Sequence, residues 1–424
     1  MRYSFVFLAV LFAFTAAQQK SYDGYQVVTI TVDDPQKMDL LFQWQDHGID
    51  FWDSINALGR PVRVMIPPHL KEEFPVFLAE NGIPYELSIP NVETVFAQER
   101  RVQMERRARA MMNRRLTGRS TADFSYYWQP DEISDYMRQL AADYPNLITV
   151  ENAGDSYEGR EILVVRISNT NFDGTKPKIF IDAGIHAREW IAPMAAVYLI
   201  HELVSHSYEH ADFLECDWII IPIANPDGYQ FSHDVNRMWR KTRSINTGST
   251  CIGTDPNRNY RYRWGFAGVS TNPCSDIFMG PAPHSEREVQ VVSSELTREA
   301  AGVRLYLSFH SFGDWLIYPW GYDRIYHPNY EQLDEVGGLA SDAIYNAHGR
   351  RYTVGNSAIL LYPAAGASDD YAAAEHHIDL SYTVELTGGG STGFDLPPHM
   401  IIPVSGEIFT GLRAYARYIA DNYS

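Results

Sequence analysis

The stretch from Lys178 to Leu203 constrains this chain more than any other, because it predicts a buried strand that turns directly into a helix. Its first part, Ile179–Ala183, is a short apolar run of the kind that a buried strand needs. Gly184 ends that run, and from Trp190 onward the apolar residues recur at helical spacing. Pro193 fits the first turn of such a helix, where its missing N–H costs little.

His186 and Glu189 lie three residues apart in the predicted turn. Open α/β proteins place their chemistry at such turns, at the carboxyl ends of the strands. Imidazole nitrogens and carboxylate oxygens are good Zn²⁺ ligands, and a catalytic zinc needs three protein ligands with one position left open. A third ligand must then come from elsewhere in the chain. The alternative is a surface histidine beside a helix N-terminus, where the helix dipole favours Glu189.

The length and the first residues indicate a secreted protein of more than one domain. At 424 residues the chain is too long for one ordinary domain. Residues 2–14 carry one arginine and then an apolar run, which predicts a signal peptide over residues 1–17 with cleavage after Ala17. This run is too short to span a bilayer, and no other stretch of the sequence is apolar for long enough.

The formal net charge of −18 is concentrated in one part of the chain. Residues 1–119 hold 14 basic and 14 acidic side chains, whereas residues 120–424 hold 21 basic and 39 acidic ones. Such a surface repels nucleic acid and anionic membranes and attracts cationic ligands. We therefore expect neither nucleic acid nor membrane as a partner.

The three cysteines predict one disulfide and one free thiol in an oxidising compartment. Cys251 and Cys274 bracket a loop rich in Gly, Asn and Pro, and we expect these two to pair. Cys216 opens the apolar strand around residues 217–223 and is expected to be a buried, unreactive thiol.

Residues 18–119 predict a small α/β unit followed by a basic connector. Three strands and two helices are indicated over residues 25–90, without any cluster of chemically active side chains. Residues 100–119 then hold eight arginines in a helical pattern. A basic run of this density could be a nucleic-acid patch. In a secreted chain, between a small domain and a large one, we interpret it instead as a protease-sensitive connector, which makes the front part a pro-segment.

Residues 120–424 predict a second, larger α/β domain. Helices are indicated over residues 130–145, 190–203, 331–348 and 403–420, alternating with the buried strands at residues 179–183, 218–223, 303–309 and 382–386. Ser285 and Glu288 suggest a capping box for a further helix that ends near Leu296. This alternation is typical of an α/β domain with a mostly parallel sheet covered by helices.

His310 is the candidate for the distant metal ligand. It follows a predicted buried strand, as His186 does, so both can meet at the same edge of the sheet. A lone histidine at a strand end is more often a structural residue with satisfied hydrogen bonds. Asp255 could orient one ligand imidazole, as the carboxylate–histidine–metal arrangement requires.

Six motifs, taken together, resemble the zinc metallocarboxypeptidases, specifically the digestive A/B type made as pro-enzymes. The resemblance runs in order from about residue 25 to the C-terminus, and each motif alone would be modest evidence. The motifs are His-Ala-Arg-Glu-Trp (186–190), Asn-Pro-Asp-Gly (225–228), Trp-Arg-Lys-Thr-Arg (239–243), Asp-Pro-Asn-Arg-Asn (255–259), Phe-His-Ser (309–311) and Thr-Val-Glu-Leu (383–386).

The resemblance implies a catalytic domain with a mixed central sheet flanked by helices and a pro-domain that is a small open α/β sandwich. It also implies a role for each matching residue. The zinc ligands would be His186, Glu189 and His310. Glu385 would be the general base that activates the attacking water, a role that also explains a carboxylate at the end of a buried strand. Arg240 would stabilise the oxyanion of the tetrahedral intermediate.

The resemblance also implies how the substrate is held. Asn257 and Arg258 would bind the free C-terminal carboxylate, for which a planar guanidinium is well suited, and Tyr362 would close over it. The neighbouring subsites would be lined by Arg188, Phe312 and Phe394. The expected partners are therefore peptides with a free C-terminus and an activating trypsin-like protease that cuts after an arginine in 107–119, with the chain itself a monomer. By the same resemblance, we expect an extracellular, digestive setting.

One position is expected to decide which C-terminal residue is removed. Counting from Tyr362 places Asp369 at the floor of the specificity pocket, which is apolar in A-type enzymes and Asp in B-type enzymes. We therefore expect B-type specificity for Lys and Arg, with Ser357, Gly321 and Thr383 as neighbours. Asp370 is expected to be structural. The alternative is that both aspartates only begin a helix, which would leave an A-type preference for apolar C-terminal residues open. A non-catalytic peptide-binding relative is a separate alternative, which the presence of His186, Glu189, His310 and Glu385 argues against.

The sequence departs from the family pattern near the site. Thr387-Gly388-Gly389-Gly390 stands where Arg-Asp usually follows the Glu-Leu pair. The segment between Asp370 and Glu385 is one residue longer than is common, and Phe312 replaces a common tyrosine. None of these changes removes an expected catalytic residue.

Overall fold

The computed structural model describes residues 19–44, 47–52, 59–119 and 122–423. The predicted signal peptide, residues 1–17, lies outside the described residues, as do Ser120 and Thr121 at the start of the predicted catalytic domain. No described helix combines the length and the apolar character needed to cross a bilayer.

The front part of the chain is a small open sandwich. Four antiparallel strands in the order β2-β3-β1-β4 carry two helices and enclose a core of their own that includes Val64, Phe74 and Leu78. The elements are β1 Gln26–Thr31, α1 Pro35–Phe42, β2 Asp50–Phe51, β3 Pro61–Ile66, α2 Glu73–Glu80 and β4 Tyr85–Ile89. The expected open-sandwich pro-domain is therefore confirmed as a fold.

The basic connector is one long helix, α3, over Val92–Thr117. Asn91 caps its first turn by accepting a hydrogen bond from the backbone N–H of Glu93, and Gly118 ends it in the left-handed conformation with φ 71°. Glycine is suited to this position because it lacks the Cβ that opposes positive φ.

The large part of the chain is built on one eight-stranded mixed sheet. The strand order is β11-β10-β12-β9-β7-β8-β6-β5. The strands are β5 Ile148–Asp155, β6 Glu161–Ile167, β7 Lys178–Ala183, β8 Asp217–Ile221, β9 Val303–Ser311, β10 Trp315–Tyr318, β11 Thr353–Asn356 and β12 Leu380–Leu386. The central strands β12, β9, β7 and β8 are parallel, and antiparallel pairs flank them. The predicted mixed, mostly parallel sheet is confirmed.

Helices cover both faces of this sheet. Alternation along β7 sends Ile179 and Ile181 into one hydrophobic core and Phe180 into the other. The first core is closed by α4, α5, α8 and α11, and the second by α7 and α10. The helices are α4 Pro130–Asp143, α5 Ile191–Ser205, α6 Pro226–Asp234, α7 Arg287–Glu299, α8 Tyr330–His348, α9 Ser357–Leu360, α10 Ser368–His376 and α11 Ile401–Tyr423.

The capping box predicted for α7 is wrong. The helix begins at Arg287 with Glu286 at the N-cap, and the side chain of Ser285 donates to Glu286 instead of capping the helix. Glu288 accepts a hydrogen bond from the backbone N–H of Tyr157, so its carboxylate is used in a tertiary contact.

Candidate metal and catalytic site

The predicted site residues meet at the carboxyl edge of the central sheet. Glu385 of β12 pairs in register with His310 of β9, and His186 and Glu189 lie on the turn between β7 and α5. This turn is buried because both its flanking elements pack into the core. A single cavity of about 540 Å³ is lined by His186, Arg188, Glu189, Arg240, Asn257, Arg258, His310, Phe312, Tyr362, Asp369, Glu385 and Phe394.

The three predicted ligands present their donor atoms to one point. His186 Nδ1 lies 2.9 Å from Glu189 Oε1 and 3.1 Å from His310 Nδ1, and His310 Nδ1 lies 3.1 Å from Glu189 Oε2. Two ligand atoms of a tetrahedral zinc site are about 3.3 Å apart, given the usual bond lengths. The donor set therefore fits a zinc ion, and its three members are buried.

Oxygen acceptors behind the ligands fix the tautomer of both histidines. His186 Nε2 lies 3.0 Å from Asp255 Oδ1, as the sequence predicted for Asp255. His310 Nε2 lies 3.1 Å from Ser308 Oγ, whose own hydroxyl donates to Asp182. With a proton on each Nε2, both Nδ1 atoms keep the lone pair that a metal needs. Sequence reasoning missed Ser308, although its position two residues before His310 on the same face of β9 could have indicated it.

The charges at the site shift the pKa values of its members. Burial lowers the pKa of His186, and the positive charge of Arg240 adds to this effect. Burial alone would also lower the pKa of His310, but the carboxylate of Glu189 outweighs it and raises the pKa to about 9. Although burial opposes it, the two histidines lower the pKa of Glu189. The carboxylate is therefore ionised and available as a ligand.

Glu385 and Arg240 lie on the cavity wall beside these ligands. Burial, and after it the charge of Glu189, raise the pKa of Glu385 to about 8, against the opposing charges of His310 and Arg240. A divalent cation held by the three ligands would lower that pKa again. Arg240 donates from Nε and Nη2 to Asp255 Oδ2 at 3.1 and 2.9 Å, and its Nη1 lies 3.8 Å from Glu189 Oε1.

Asn257, Arg258 and Tyr362 form a second group on the cavity wall. The side-chain oxygen of Asn257 accepts from the backbone N–H of Ser368 at 2.9 Å, which leaves its amide N–H₂ as the donor for a ligand. Arg258 is buried and is held by hydrogen bonds to the carbonyls of Gly268 and Asn257. The ring of Tyr362 is half-buried, 5.9 Å from the Arg258 guanidinium.

The front domain contacts the same cavity. Arg188 Nη1 donates to both carboxylate oxygens of Asp50 at 3.2 and 3.0 Å, and Asp50 belongs to β2 of the small sandwich. Phe51, Trp52 and Arg63 from that domain also line the cavity. Sequence reasoning missed Asp50, which lies 138 positions from Arg188 in the chain and belongs to no motif.

The departures from the family pattern cluster around Phe312. Its ring packs against Phe394 with 4.9 Å between centroids. A Cβ at Gly388 or Gly393 would come within 2.6 or 2.3 Å of Phe312, so the aromatic ring requires glycine at both positions. Thr387 hydrogen-bonds to Asp314 and to Glu407, which holds the start of this loop.

The cysteines behave as predicted. Cys251 and Cys274 form a disulfide with a Cα–Cα distance of 5.1 Å. Cys216 is free and buried, and burial raises the pKa of its thiol to about 12. An un-ionised thiol is a poor nucleophile, in agreement with an unreactive Cys216.

Comparisons with known proteins agree with this geometry. Residues 133–411 match the family described as zinc carboxypeptidase, and residues 28–99 match the carboxypeptidase activation peptide. Carboxypeptidase B of Astacus astacus is 43% identical over 305 residues, which is 71% of this chain and all of that protein. Carboxypeptidase A2 of Mus musculus is 33% identical and covers 98% of both chains.

The fold comparison leads to the same family. The crystal structure of carboxypeptidase A from Helicoverpa armigera superposes with a TM-score of 0.88 and 32% identity, covering 95% of this chain and 99% of that one. With His186, Glu189 and His310 placed to bind the metal, this chain belongs to the zinc carboxypeptidase family and carries that family's activation peptide ahead of its enzyme domain.

Proposed function

We propose that this chain is the secreted, monomeric zymogen of a carboxypeptidase that removes C-terminal Lys and Arg from peptides. The observation that carries the proposed specificity is the buried carboxylate of Asp369 in the wall of the catalytic cavity. The related proteins carry both A and B names, so the preference is argued from the residues of this chain.

Within this proposal, His186, Glu189 and His310 hold the zinc. When bound, zinc supplies the Lewis acidity that polarises a peptide carbonyl and lowers the pKa of a water molecule. Asp255 and Ser308 orient the two imidazoles. Asp255 also holds Arg240 through its second oxygen, so one carboxylate positions a ligand and a cation together.

Glu385 is the proposed general base. Its position opposite His310, on the wall of the cavity, allows it to take a proton from the attacking water and return it to the leaving amine. Arg240 is proposed to stabilise the negative charge that develops on the carbonyl oxygen. The Arg240 side chain is held by Asp255 before the substrate arrives, which is the condition for effective electrostatic stabilisation.

The proposed site for the free C-terminal carboxylate is formed by Asn257 and Arg258. Both are buried in the wall of the cavity, and an internal peptide segment would have no carboxylate to pair with the buried Arg258 charge. Tyr362 is proposed to close over this end of the substrate. These contacts support removal of terminal residues instead of internal cleavage.

The two adjacent aspartates differ in their contacts. Asp370 accepts hydrogen bonds from the backbone N–H groups of Gly321 and Tyr322 at 2.7 and 2.9 Å, which supports a structural role. Asp369 bonds to the backbone N–H of Asp370, and the Thr383 side chain also lies within hydrogen-bonding reach. Among the described residues, no cation forms an ion pair with Asp369, and burial raises its pKa. A Lys or Arg side chain would supply the missing charge.

The rates on blocked dipeptides ending in Arg, Lys, Phe and Leu test this specificity. We expect kcat/KM for Arg to exceed that for Phe by about a hundredfold or more, because Phe would leave the buried carboxylate unpaired. Asp369→Asn should reduce the rate on Arg far more than the rate on Phe, with unchanged zinc content. Asp379→Asn, an exposed aspartate beyond α10, is the matched control. A wild type that prefers Phe or Leu would establish the A-type alternative.

The proposed activation step is cleavage by a trypsin-like protease after an arginine near the end of α3. Arg107 and Arg114 pair with Glu132 and Asp135 of α4, whereas Arg115 is exposed in the last turn of the helix. A helix end frays more readily into the extended form that a protease needs. We expect cleavage after Arg115 to raise activity, and a full-length chain as active as the cleaved one would contradict the proposal.

A further inference from the structure

A second group of potential metal ligands lies at the other end of α5, away from the catalytic cavity. The segment His-Glu-Leu-Val-Ser-His-Ser-Tyr-Glu-His occupies residues 201–210, where α5 ends and the chain turns toward the short 3₁₀ turn Ala211–Glu215. None of these side chains is among the described residues that line the catalytic cavity.

His201, Glu202 and His206 bring one donor atom each within 4.8 Å of one another. Glu202 Oε2 and His206 Nδ1 lie 3.2 Å apart. These two atoms lack the alignment of a hydrogen bond, and His206 Nδ1 is buried without a hydrogen-bond partner among the described residues. A nitrogen and a carboxylate oxygen that face each other in this way are spaced as two ligands of one ion.

Neighbouring groups orient two of these three side chains. Arg413 donates to His210 Nδ1 at 2.7 Å, so the proton of a neutral His210 sits on Nε2 and points to Glu202 Oε2, 3.1 Å away. The ring of His201 is fixed by the hydroxyl of Tyr136, 2.7 Å from its Nδ1. Such contacts behind the ligands are what a stable metal site requires.

We propose that His201, Glu202 and His206 bind a second divalent transition-metal ion, of which zinc is the expected one. Two imidazoles and one carboxylate form the same donor set as at the catalytic site. The negative end of the α5 dipole adds a favourable field for a cation. The His206 side chain is 42% exposed although its Nδ1 is covered, so the proposed site lies close to the protein surface.

The proposed ion would have a structural role, because it would link the last turn of α5 to the segment that follows the helix. The competing explanation is a plain cluster of ion pairs in which a protonated His206 pairs with Glu202 at i, i+4 spacing. That explanation predicts that no second zinc ion binds, so a measurement of zinc binding distinguishes the two explanations.

The experiment measures the number of zinc ions per chain in the intact full-length protein. The protein is equilibrated with free Zn²⁺ at about 1 to 100 µM, a range on the order of the dissociation constants of accessible metal sites. We expect two zinc ions per wild-type chain and one in His206→Asn. Glu202→Gln should weaken the second zinc by about tenfold to a hundredfold or more. After activation, both variants should keep the wild-type peptidase activity, since neither residue lies at the catalytic site.

His399→Asn, which changes an exposed histidine just before α11, is the matched control and should still bind two zinc ions. A wild type that binds one zinc overturns the proposal, and so does a second zinc that His206→Asn binds with unchanged affinity. If Glu202→Gln does not fold, the zinc count of His206→Asn decides, because the His206 side chain is partly exposed and its Nδ1 makes no hydrogen bond among the described residues.

Discussion

Glu99 of α3 and Arg237 of the enzyme domain form a two-point ion pair that is buried between the two parts of the chain. Glu99 Oε2 lies 2.7 Å from Arg237 Nε, and Glu99 Oε1 lies 3.1 Å from Nη2. The same guanidinium stacks on Trp190 at 3.8 Å and donates to the carbonyl of Arg188, next to the zinc ligand Glu189. The activation segment is thus anchored directly behind the metal-binding turn.

Replacing Glu99 by Gln should loosen this anchor. The change leaves the Arg237 charge buried without its counter-charge, which costs on the order of 2–5 kcal/mol at an interface. We expect activity to appear sooner after tryptic cleavage of the full-length variant than after cleavage of the wild type, measured as the delay between the cut and full activity. Glu105→Gln, on the exposed side of α3, should keep the wild-type delay. An equal delay in Glu99→Gln and wild type would show that the ion pair does not hold the segment.

Replacing Glu385 by Gln should abolish turnover while zinc and peptide still bind. The variant loses only the proton acceptor, so kcat should fall by about 10²–10⁴-fold with little change in zinc content. Zinc analysis, inhibitor binding and kinetics on the activated protein check this expectation. Glu375→Gln, an exposed glutamate in α10, is the control. If the Glu385 variant kept a tenth of the wild-type rate, another group would have to be the base.

Replacing Asp255 by Asn should affect zinc binding and catalysis together. Its Oδ1 contacts His186 Nε2 and its Oδ2 accepts from Arg240. Burial alone would raise the pKa of Asp255, but the charge of Arg240 and the contact with His186 hold it well below its ordinary value. We expect zinc affinity to fall by about 10–100-fold, measured by competition with a chelator. Excess zinc should restore the metal but not the full rate, because Arg240 remains displaced. Full recovery of the rate would mean that Asp255 contributes only to zinc binding and not to the position of Arg240.

The strand–turn–helix at the metal site could be predicted from the sequence because local patterns determine it. The apolar run of β7 and the helical spacing of α5 identify the two elements, and the strand before His310 identifies the partner strand. The short strands β10 and β11 were missed because four residues give too little periodicity to separate a strand from a loop.

Tertiary contacts account for what the sequence could not show. The pairing of Asp50 with Arg188 depends on how two separately folded parts pack, and no local pattern carries that information. The start of α7 was mispredicted for a similar reason, since Ser285 and Glu286 are engaged by Asn259 and Thr242 from distant loops. The roles given to Asn257, Arg258, Tyr362 and Asp369 came from the family resemblance, and they stay predictions until the variants are measured.

Glu288 should make the stability of this protein depend on pH. Its side chain is buried in the first turn of α7, with one oxygen bonded to the Tyr157 N–H and the other without a hydrogen-bond partner among the described residues. Burial, despite the opposing hydrogen bonds from the backbone, raises its pKa from 4.5 to about 7. The folded protein therefore holds this proton over a pH range in which the unfolded chain has released it.

The direction of this pH dependence follows from the difference between the pKa of Glu288 in the folded and in the unfolded state. Below pH 4.5 Glu288 is protonated in both the folded and the unfolded state, so it does not lower the free energy of unfolding. Between pH 4.5 and 7 only the unfolded chain releases the proton, so the folded state loses stability as the pH rises. The full loss, on the order of 3 kcal/mol, is reached above pH 7. Glu288→Gln is neutral at every pH, so it should raise the free energy of unfolding at pH 8 and have little effect at pH 4. Urea unfolding of both proteins at pH 4, 6 and 8 measures this, with Glu331→Gln in the exposed first turn of α8 as the control. A stability difference that is the same at all three pH values would contradict the prediction, because it would mean that folding does not shift the pKa of Glu288.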